Sequence, residues 1–191
     1  MAPSAIGAPP VNTPGSGLDS HTHNATSPHP THLHNLASTI LYNLRHQHDW
    51  SSLAINTHST RTGQLLPRPL ISGVPLRRVY VHPDEQVEIL KAEHETGIRI
   101  IQQPEREWVL PTHLSEKWNL KAFAELFDAI DALPPMNDAD VKDNDDQLEC
   151  QVGKNWRGNQ RQKRVLLATL HDDSTVVYYI MHDGIVKPRQ N

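Results

Sequence analysis

The sequence has little of several residue types, and each scarcity excludes a class of protein. A single cysteine, Cys150, in 191 residues excludes a disulfide framework within the chain and a multi-cysteine zinc or iron–sulfur site. The nine glycines form no phosphate-binding cluster, and there is no nucleophile-elbow or dinucleotide motif. No apolar run is long enough to span a membrane, and the first residues lack the basic and apolar parts of a secretory signal. We therefore expect an intracellular protein without membrane insertion.

Aromatic residues and net charge are also scarce. Aromatics make up 5% of the chain and hydrophobic residues 37%, both below ordinary globular usage, while fifteen prolines stand against two phenylalanines. A substantial part of the chain is therefore expected to lie outside a packed core. The formal net charge of -4 excludes nucleic-acid binding by bulk positive charge alone.

The composition divides the chain into a tail and one domain. Residues 1–31 are rich in proline, serine and histidine with Asp19 as the only formally charged side chain, so we predict a disordered tail. Residues 32–191 are predicted to form a single domain. Within it, residues 133–162 carry an aperiodic acidic run, which is typical of a solvated, flexible insertion.

Hydrophobic periodicity predicts a mixed α/β fold for this domain. Leucines and isoleucines recur at helical spacing from Leu33 to Leu44, and the prolines at 67 and 69 predict irregular structure over 56–73. Two dense apolar runs near the end predict an antiparallel hairpin. The predicted elements, in order, are a helix over 33–44, a strand over 75–81, a helix over 84–96 capped by Gly97, short extended runs over 98–101 and 108–110, a helix over about 114–132, and strands over 165–170, 175–181 and 185–187.

Thirteen histidines raise the question of a metal site. Five of them (His21, His23, His29, His32 and His34) lie in or beside the predicted tail, where ligands would not be held in fixed geometry. The sequence therefore predicts no metal and no other cofactor. A His-rich metal-binding adaptor stays open as an alternative.

Two groups of residues suggest contact with RNA. Tyr80 and His82, followed by Asp84, could supply acid–base groups with Lys163 as the cation, so a self-sufficient, metal-independent ribonuclease is a second alternative. A basic stretch before the last strand pair is either a solvated loop or a small patch that touches an RNA backbone. Its members are Lys154, Arg157, Arg161, Lys163 and Arg164.

The most specific feature lies near the C-terminus. Residues 172–179 combine an acidic turn with a strand that is apolar on both faces. Such a strand is either central in its own sheet or covered by another subunit through strand addition. The second interpretation, in which another subunit covers the strand, includes a homodimer of the isolated chain.

The ending H-D-D-S-T-V-V-Y-Y-I-M-H-D-G-I-V-K-P resembles that of the small structural subunit, the Sen-fifteen type, of the eukaryotic tRNA-splicing endonuclease. The segment 36–50 is similar to the first helix of that family and its tryptophan, and 79–90 to a strand, turn and helix. Residues 107–114 (EWVLPTHL) resemble a motif of fungal members. The resemblance covers about 35–132 and 163–190.

The resemblance implies a nuclease-like domain without catalytic residues of its own. Catalytic members of the superfamily use a Tyr, a His and a Lys, but residues 79–85 (VYVHPDE) lack the Gly-Asp-Pro-x-x-x-His continuation, and Lys163 alone matches the family lysine. It thus implies a non-catalytic subunit of a nuclear heterotetramer that excises introns from precursor tRNA. Its partners would be the catalytic and structural subunits; the cytosol or the cytosolic face of mitochondria is the alternative location.

The resemblance also implies where the partner binds. In the superfamily an acidic loop before the last strand docks into a basic pocket of the neighbour, and this places Asp172 and Asp173 in that role. The last strand then supplies the apolar part of the interface. Its candidates are Val176, Val177, Tyr178 and Tyr179.

Overall fold

The structure is a computed structural model that describes residues 28–136 and 152–184. Within these ranges the α-helices and strands follow the order α1, β1, β2, α2, β3, α3, β4, β5. Two 3-10 helices lie between α3 and β4. The bounds are α1 Thr31–Gln47, β1 Ser51–His58, β2 Leu65–Val74, α2 Pro83–Thr96, β3 Glu107–His113, α3 Leu120–Ala129, the 3-10 helices Lys154–Trp156 and Gly158–Gln160, β4 Arg164–Leu170 and β5 Val176–His182.

The five strands form one mixed sheet in the order β1-β2-β3-β4-β5. Neighbouring strands are antiparallel except β3 and β4, which run parallel and are connected through α3. The predicted mixed α/β fold class is thereby confirmed. In the described ranges no helix is both long and apolar enough to cross a bilayer.

The sheet carries an apolar core on each face. One face packs against α1, whose apolar side chains at helical spacing are buried, as their periodicity predicted. The other packs against α3, which Asn119 caps by accepting a hydrogen bond from the N–H of Ala122 at 2.8 Å. The α1 face contains Leu36, Ala37, Ile40, Leu44, Trp50, Ile71, Val109, Leu166 and Ala168; the α3 face contains Leu66, Leu70, Trp108, Leu110, Leu126, Phe127, Ile130 and Val165.

The first hairpin corrects the prediction of irregular structure over 56–73. Strands β1 and β2 pair there despite Pro67 and Pro69. The pairing register shifts between Asn56 and His58, so both prolines lie where the regular ladder is interrupted and an N–H donor is not required. The prolines therefore mark an irregular part of the hairpin and do not prevent β1 and β2 from pairing.

The segment 75–81 is also different from the prediction. It is not a strand. Strand β2 ends at Val74, and the following residues connect it to α2 without regular structure. Residues 98–101 are likewise not a strand, and the helix predicted over 114–132 is shorter. The prediction of α2 with Gly97 as its left-handed C-cap, φ 69°, is confirmed.

The final strand pair follows the prediction closely. Strands β4 and β5 pair antiparallel in seven consecutive register positions, from Arg164 with His182 to Leu170 with Val176. Most of the predicted tail (1–27), much of the predicted acidic insertion (137–151) and the predicted strand at 185–187 lie outside the described residues.

Candidate subunit interface

Strand β5 is an edge strand, since its only partner in the described part of the chain is β4. Its side chains alternate between the two faces of the sheet. Val176, Tyr178 and Ile180 pack against the α1 core, whereas Met181 packs against the α3 core and defines the opposite face, shared by Val177 and Tyr179. Among the described residues, the run that is apolar on both faces in sequence therefore lies at the edge of the sheet.

Tyr178 points inward. Its hydroxyl donates a hydrogen bond to Asn43 Oδ1 of α1 at 2.6 Å, and its ring meets the His48 ring edge-on with centroids 5.1 Å apart. Burial raises the pKa of the Tyr178 phenol, so the group stays protonated and remains a donor. The interface role predicted for Tyr178 stays a prediction, and within this chain the residue ties β5 to α1.

Tyr179 points to the other face and is the most exposed residue of β5, at 60%. It pairs across the ladder with Leu167, while its neighbour on the same face, Val177, pairs with Thr169. Helix α3 covers the sheet over β2, β3 and part of β4, and it leaves this end of β5 uncovered. Val177 and Tyr179, with the outer edge of β5, form what we call the β5 surface.

The acidic turn, His171–Thr175, is held by its own backbone. The His171 N–H donates to Thr175 O at 2.8 Å and the Ser174 N–H to His171 O at 3.0 Å. Ser174 has a left-handed conformation, φ 67°. The turn is therefore preformed, and a partner would not have to order it.

The two aspartates of the turn differ in what they contact. Asp173 accepts a hydrogen bond from the Thr175 N–H at 3.0 Å, and that bond lowers the pKa of its carboxyl. Asp172 has a side chain that is 90% exposed, with Oδ1 3.4 Å from His113 Nε2 at the end of β3. Asp173 thus shapes the turn, while Asp172 presents its charge to solvent.

Most of the basic stretch that could touch RNA is engaged within the chain. Arg157 Nε lies 2.7 Å from Glu85 Oε1, and Lys163 Nζ donates to Phe127 O at 2.9 Å. Lys154 is exposed. The arginines belong to a group of charged side chains that we call the ion-pair network, composed of Arg78, Glu85, Glu105, Glu107, Arg157, Arg161 and Arg164.

Arg161 and Arg164 are buried in this network. Their side chains are 1% and 5% exposed, and both contact Glu105 and Glu107. Burial alone would raise the pKa of Glu105, but the Gly158 N–H and the guanidinium of Arg161 outweigh burial and lower it. RNA contact by the basic stretch stays a prediction. Because Arg161 and Arg164 are buried, such a contact would be made by the other side chains of the stretch.

The residues considered for catalysis contact different parts of the fold. His82 caps α2 by accepting from the Asp84 N–H at 3.2 Å, and its ring stacks on Trp156 with centroids 4.0 Å apart. Tyr80 contacts the ring of His182 at 4.7 Å. Lys163 is bonded to α3 through Phe127 O, as described above. Each of the three side chains therefore has a contact that contributes to the fold.

The histidine-rich beginning of the chain is described only from residue 28 onward. His29 is buried, and burial lowers the pKa of its imidazole. Across 28–136 and 152–184, no three histidine, cysteine, aspartate or glutamate residues are grouped so that they could hold a metal ion. His21, His23 and Cys150 lie outside these ranges.

Two residues that support the β5 surface were not found from the sequence. Asn43 fixes Tyr178 inward, and His113 lies against Asp172. Asn43 is a polar residue among the buried positions of α1, which is the one signal that could have pointed to it, since a buried amide requires a partner. Nothing in the sequence marks His113, because its contact depends on the parallel pairing of β3 with β4.

These features define a class: a mixed α/β domain in which the sheet of the described residues ends in a regular edge strand beside a preformed acidic turn. The sequence matches the model of the Sen15 protein family over residues 39–141 and 142–191. The chain belongs to the Sen15 family.

Two curated relatives agree with this assignment. A Neurospora crassa protein named as a probable tRNA-splicing endonuclease subunit, tsp-1, is 51% identical over 160 residues, which cover 84% of this chain and 67% of the relative. A Schizosaccharomyces pombe protein named as a probable tRNA-splicing endonuclease subunit, sen15, is 30% identical over 86 residues, covering 44% of this chain and 50% of the relative.

Proposed function

We propose that this chain is a non-catalytic structural subunit of a tRNA-splicing endonuclease, and that it joins a catalytic subunit through the β5 surface and the acidic turn. The observation that carries this is that β5, an edge strand among the described residues, keeps an unbroken register of seven pairs with β4 on its inner side. Family membership and the names of the two relatives support the assignment to that enzyme complex.

Strand addition accounts for how the partner is held. The outer edge of β5 offers backbone N–H and C=O groups that a strand of the partner can pair with. Tyr179, exposed beside that edge, supplies an aromatic side chain of the kind that dominates binding energy when it enters a pocket. Asp172 adds a charge that selects a basic pocket and speeds association.

The contacts of Tyr80, His82 and Lys163 support a non-catalytic role. General acid–base catalysis needs groups that converge on the reacting atoms, whereas these three serve ring packing, helix capping and a bond to α3. In this proposal the active sites belong to the partner subunits of a nuclear heterotetramer, and precursor tRNA reaches this chain through the complex.

The test is co-expression of this chain with the catalytic and structural subunits, followed by mass determination and cleavage of precursor tRNA. We expect a stoichiometric complex that cuts precursor tRNA and an inert isolated chain. The double variant Asp172→Lys/Asp173→Lys should abolish the complex, because two positive charges would face a basic pocket. Glu125→Lys/Asp128→Lys is the control, since it changes the charge equally on the exposed face of α3.

Three results would contradict the proposal. Cleavage by the isolated chain, lost on His82→Ala, would establish a self-sufficient ribonuclease. An intact complex with the double aspartate variant would remove the acidic turn from the interface. A zinc affinity in the micromolar range that disappears with residues 1–35 would support the metal-binding adaptor instead.

A further inference from the structure

Helix α2 is oriented opposite to its hydrophobic pattern. Val87 and Leu90 are spaced to lie on one helix face with His94, and this pattern predicts that they pack on the core. In the structure Val87 is 41% and Leu90 51% exposed, and the buried side chains of the helix are Glu85 and Ile89. The face that should be covered is thus turned away from the sheet.

A buried carboxylate fixes this orientation. Glu85 is fully buried, with its oxygens 2.6 and 2.8 Å from the two Nη atoms of Arg78 and 2.7 Å from Arg157 Nε. A Cβ on Gly153 would lie 2.8 Å from Glu85, so the backbone also closes against this side chain. Rotating α2 to bury its apolar face would break three charge-assisted bonds and remove the carboxylate that faces the guanidinium groups of Arg78 and Arg157.

The apolar face has a shallow depression and an acidic flank. Val87 and Leu90 line the depression together with Lys91, His94 and Glu95. The other exposed carboxylates of the helix are Asp84 and Glu88, so three carboxylates stand against one ammonium group. A negative flank beside an apolar stripe repels an RNA backbone and favours a protein segment that carries positive charge.

The size of this face argues against a dimer of this chain through α2 alone. A helix of 14 residues is about 21 Å long, and a stripe about 10 Å wide along it covers roughly 200 Å². That is well below the roughly 800 Å² per partner of a standard stable interface. The face therefore suits a contact that adds to an interface made elsewhere on the domain.

The end of β5 lies close to the start of α2. Tyr80, three residues before α2 begins, has its ring 4.7 Å from the ring of His182, the last residue of β5. His82, the N-cap of α2, is one of the charges that act on His182. A partner that adds a strand to β5 thus ends beside the start of α2.

We propose that the exposed face of α2, centred on Val87 and Leu90, is a second docking surface for the partner that binds β5, and that an amphipathic helix with a basic flank occupies it. This inference rests on the proposed function, because the partner that binds the β5 surface is taken to be the one that also binds α2. Helix packing would bury the stripe, and lysine or arginine side chains of the partner would pair with Glu88 and Glu95.

The experiment uses the co-expressed endonuclease complex and measures the affinity of this chain for the catalytic subunit. Val87→Glu/Leu90→Glu should weaken binding by about tenfold, and Glu88→Lys/Glu95→Lys should weaken it less and only at low salt. Leu120→Glu is the matched control, because Leu120 is an exposed helical leucine on α3 and should leave the affinity unchanged. Thermal unfolding of each isolated variant should equal that of the wild type, since every substituted side chain is exposed.

The outcomes separate this inference from the proposed function. Unchanged affinity in the α2 variant, while Asp172→Lys/Asp173→Lys still abolishes the complex, would overturn the second site and leave the first intact. Intact complexes with both variants would overturn both. An isolated chain that self-associates and becomes monomeric on Val87→Glu/Leu90→Glu would identify a second copy as the occupant and overturn the proposal.

Discussion

The two edge strands of the sheet differ in regularity. Strand β1 pairs with β2 through a ladder with two register shifts, and it follows Asp49 (φ 53°) and contains Ser52 (φ 49°), both left-handed. Strand β5 pairs with β4 through seven consecutive positions without a shift. Bulges twist an edge away from further pairing, and natural sheets use them to prevent edge-to-edge aggregation. One edge of this sheet has that protection and the other does not.

The difference supports the proposal that β5 is the edge that binds a partner. Strand β5 contains neither proline nor a residue that is charged at neutral pH, which are the other usual devices for protecting an edge. The charges lie instead in the acidic turn at its beginning, where they can select a partner without blocking the ladder. An unprotected edge would be a liability in a chain that remains alone, so its regularity favours a subunit interface.

Among single substitutions, the largest loss of binding affinity is expected when a charge is placed on β5, and none when a charge is placed on β1. If the proposed interface is right, Tyr179→Lys should weaken binding of the catalytic subunit by about 2 kcal/mol or more, roughly thirtyfold, because it removes an exposed aromatic side chain and places a charge within that interface. Thr57→Lys adds the same charge to β1 and should leave the affinity unchanged. Titration calorimetry of both variants measures the difference; equal losses would show that the two edges are equivalent.

A smaller effect should separate the two aspartates of the acidic turn. Asp172→Asn removes an exposed charge, and we expect the association rate to fall about fivefold at low ionic strength and to recover toward the wild-type rate in high salt. Asp173→Asn should have less effect, because its amide oxygen can still accept the Thr175 N–H. Stopped-flow association at two salt concentrations distinguishes them. A larger effect at Asp173 would reverse their assigned roles.

The comparison also shows how much of the fold the sequence could predict. The regular pairing of β4 with β5 was predictable, since two dense apolar runs are joined by turn residues. The bulged edge was not, because Pro67 and Pro69 are signals against a strand when the position of the irregularity is unknown. Helix α2 was found with its cap, but its orientation depends on Glu85 and the distant Arg157.

The candidate site was predictable in composition but not in geometry. A strand that is apolar on both faces does not reveal which tyrosine points inward, and only pairing with Leu167 and packing on α1 separate Tyr178 from Tyr179. The burial of Arg161 and Arg164 could not be predicted, since their carboxylate partners Glu105 and Glu107 lie more than fifty residues away in sequence.

Tyr178→Phe should sharpen the distinction between the inner and outer faces of β5. It removes the hydrogen bond to Asn43 Oδ1, so the free energy of unfolding should fall by about 1 kcal/mol, while affinity for the catalytic subunit stays within error of the wild type. Urea unfolding and binding titrations measure the two quantities. A loss of affinity without a loss of stability would place Tyr178 in the interface itself.

The smallest effect concerns a histidine associated with each edge. Burial lowers the pKa of His182 in β5, helped by the nearby Arg164 and His82, and burial also lowers the pKa of His29, whose imidazole is hydrogen-bonded to the backbone of Thr57 in β1. In the unfolded chain each has a pKa near 6.5, so below that pH the unfolded state binds more protons and the folded state loses stability. Each histidine contributes at most about 1.4 kcal/mol per pH unit.

The stability measured by urea unfolding should therefore be constant above about pH 7 and decrease from pH 6.5 to 5.5. His182→Gln should remove the part of this decrease that is due to the histidine in β5. His29→Gln should remove the part that is due to the histidine bonded to β1. The buried carboxyl of Glu105 has a lowered pKa, so the stability that it contributes is lost only at pH values below about 4.5, and the two effects do not overlap. If stability rose as the pH fell from 6.5 to 5.5, the protonated imidazoles would be the favoured forms in the folded state, and the packing assigned to both edges would be wrong.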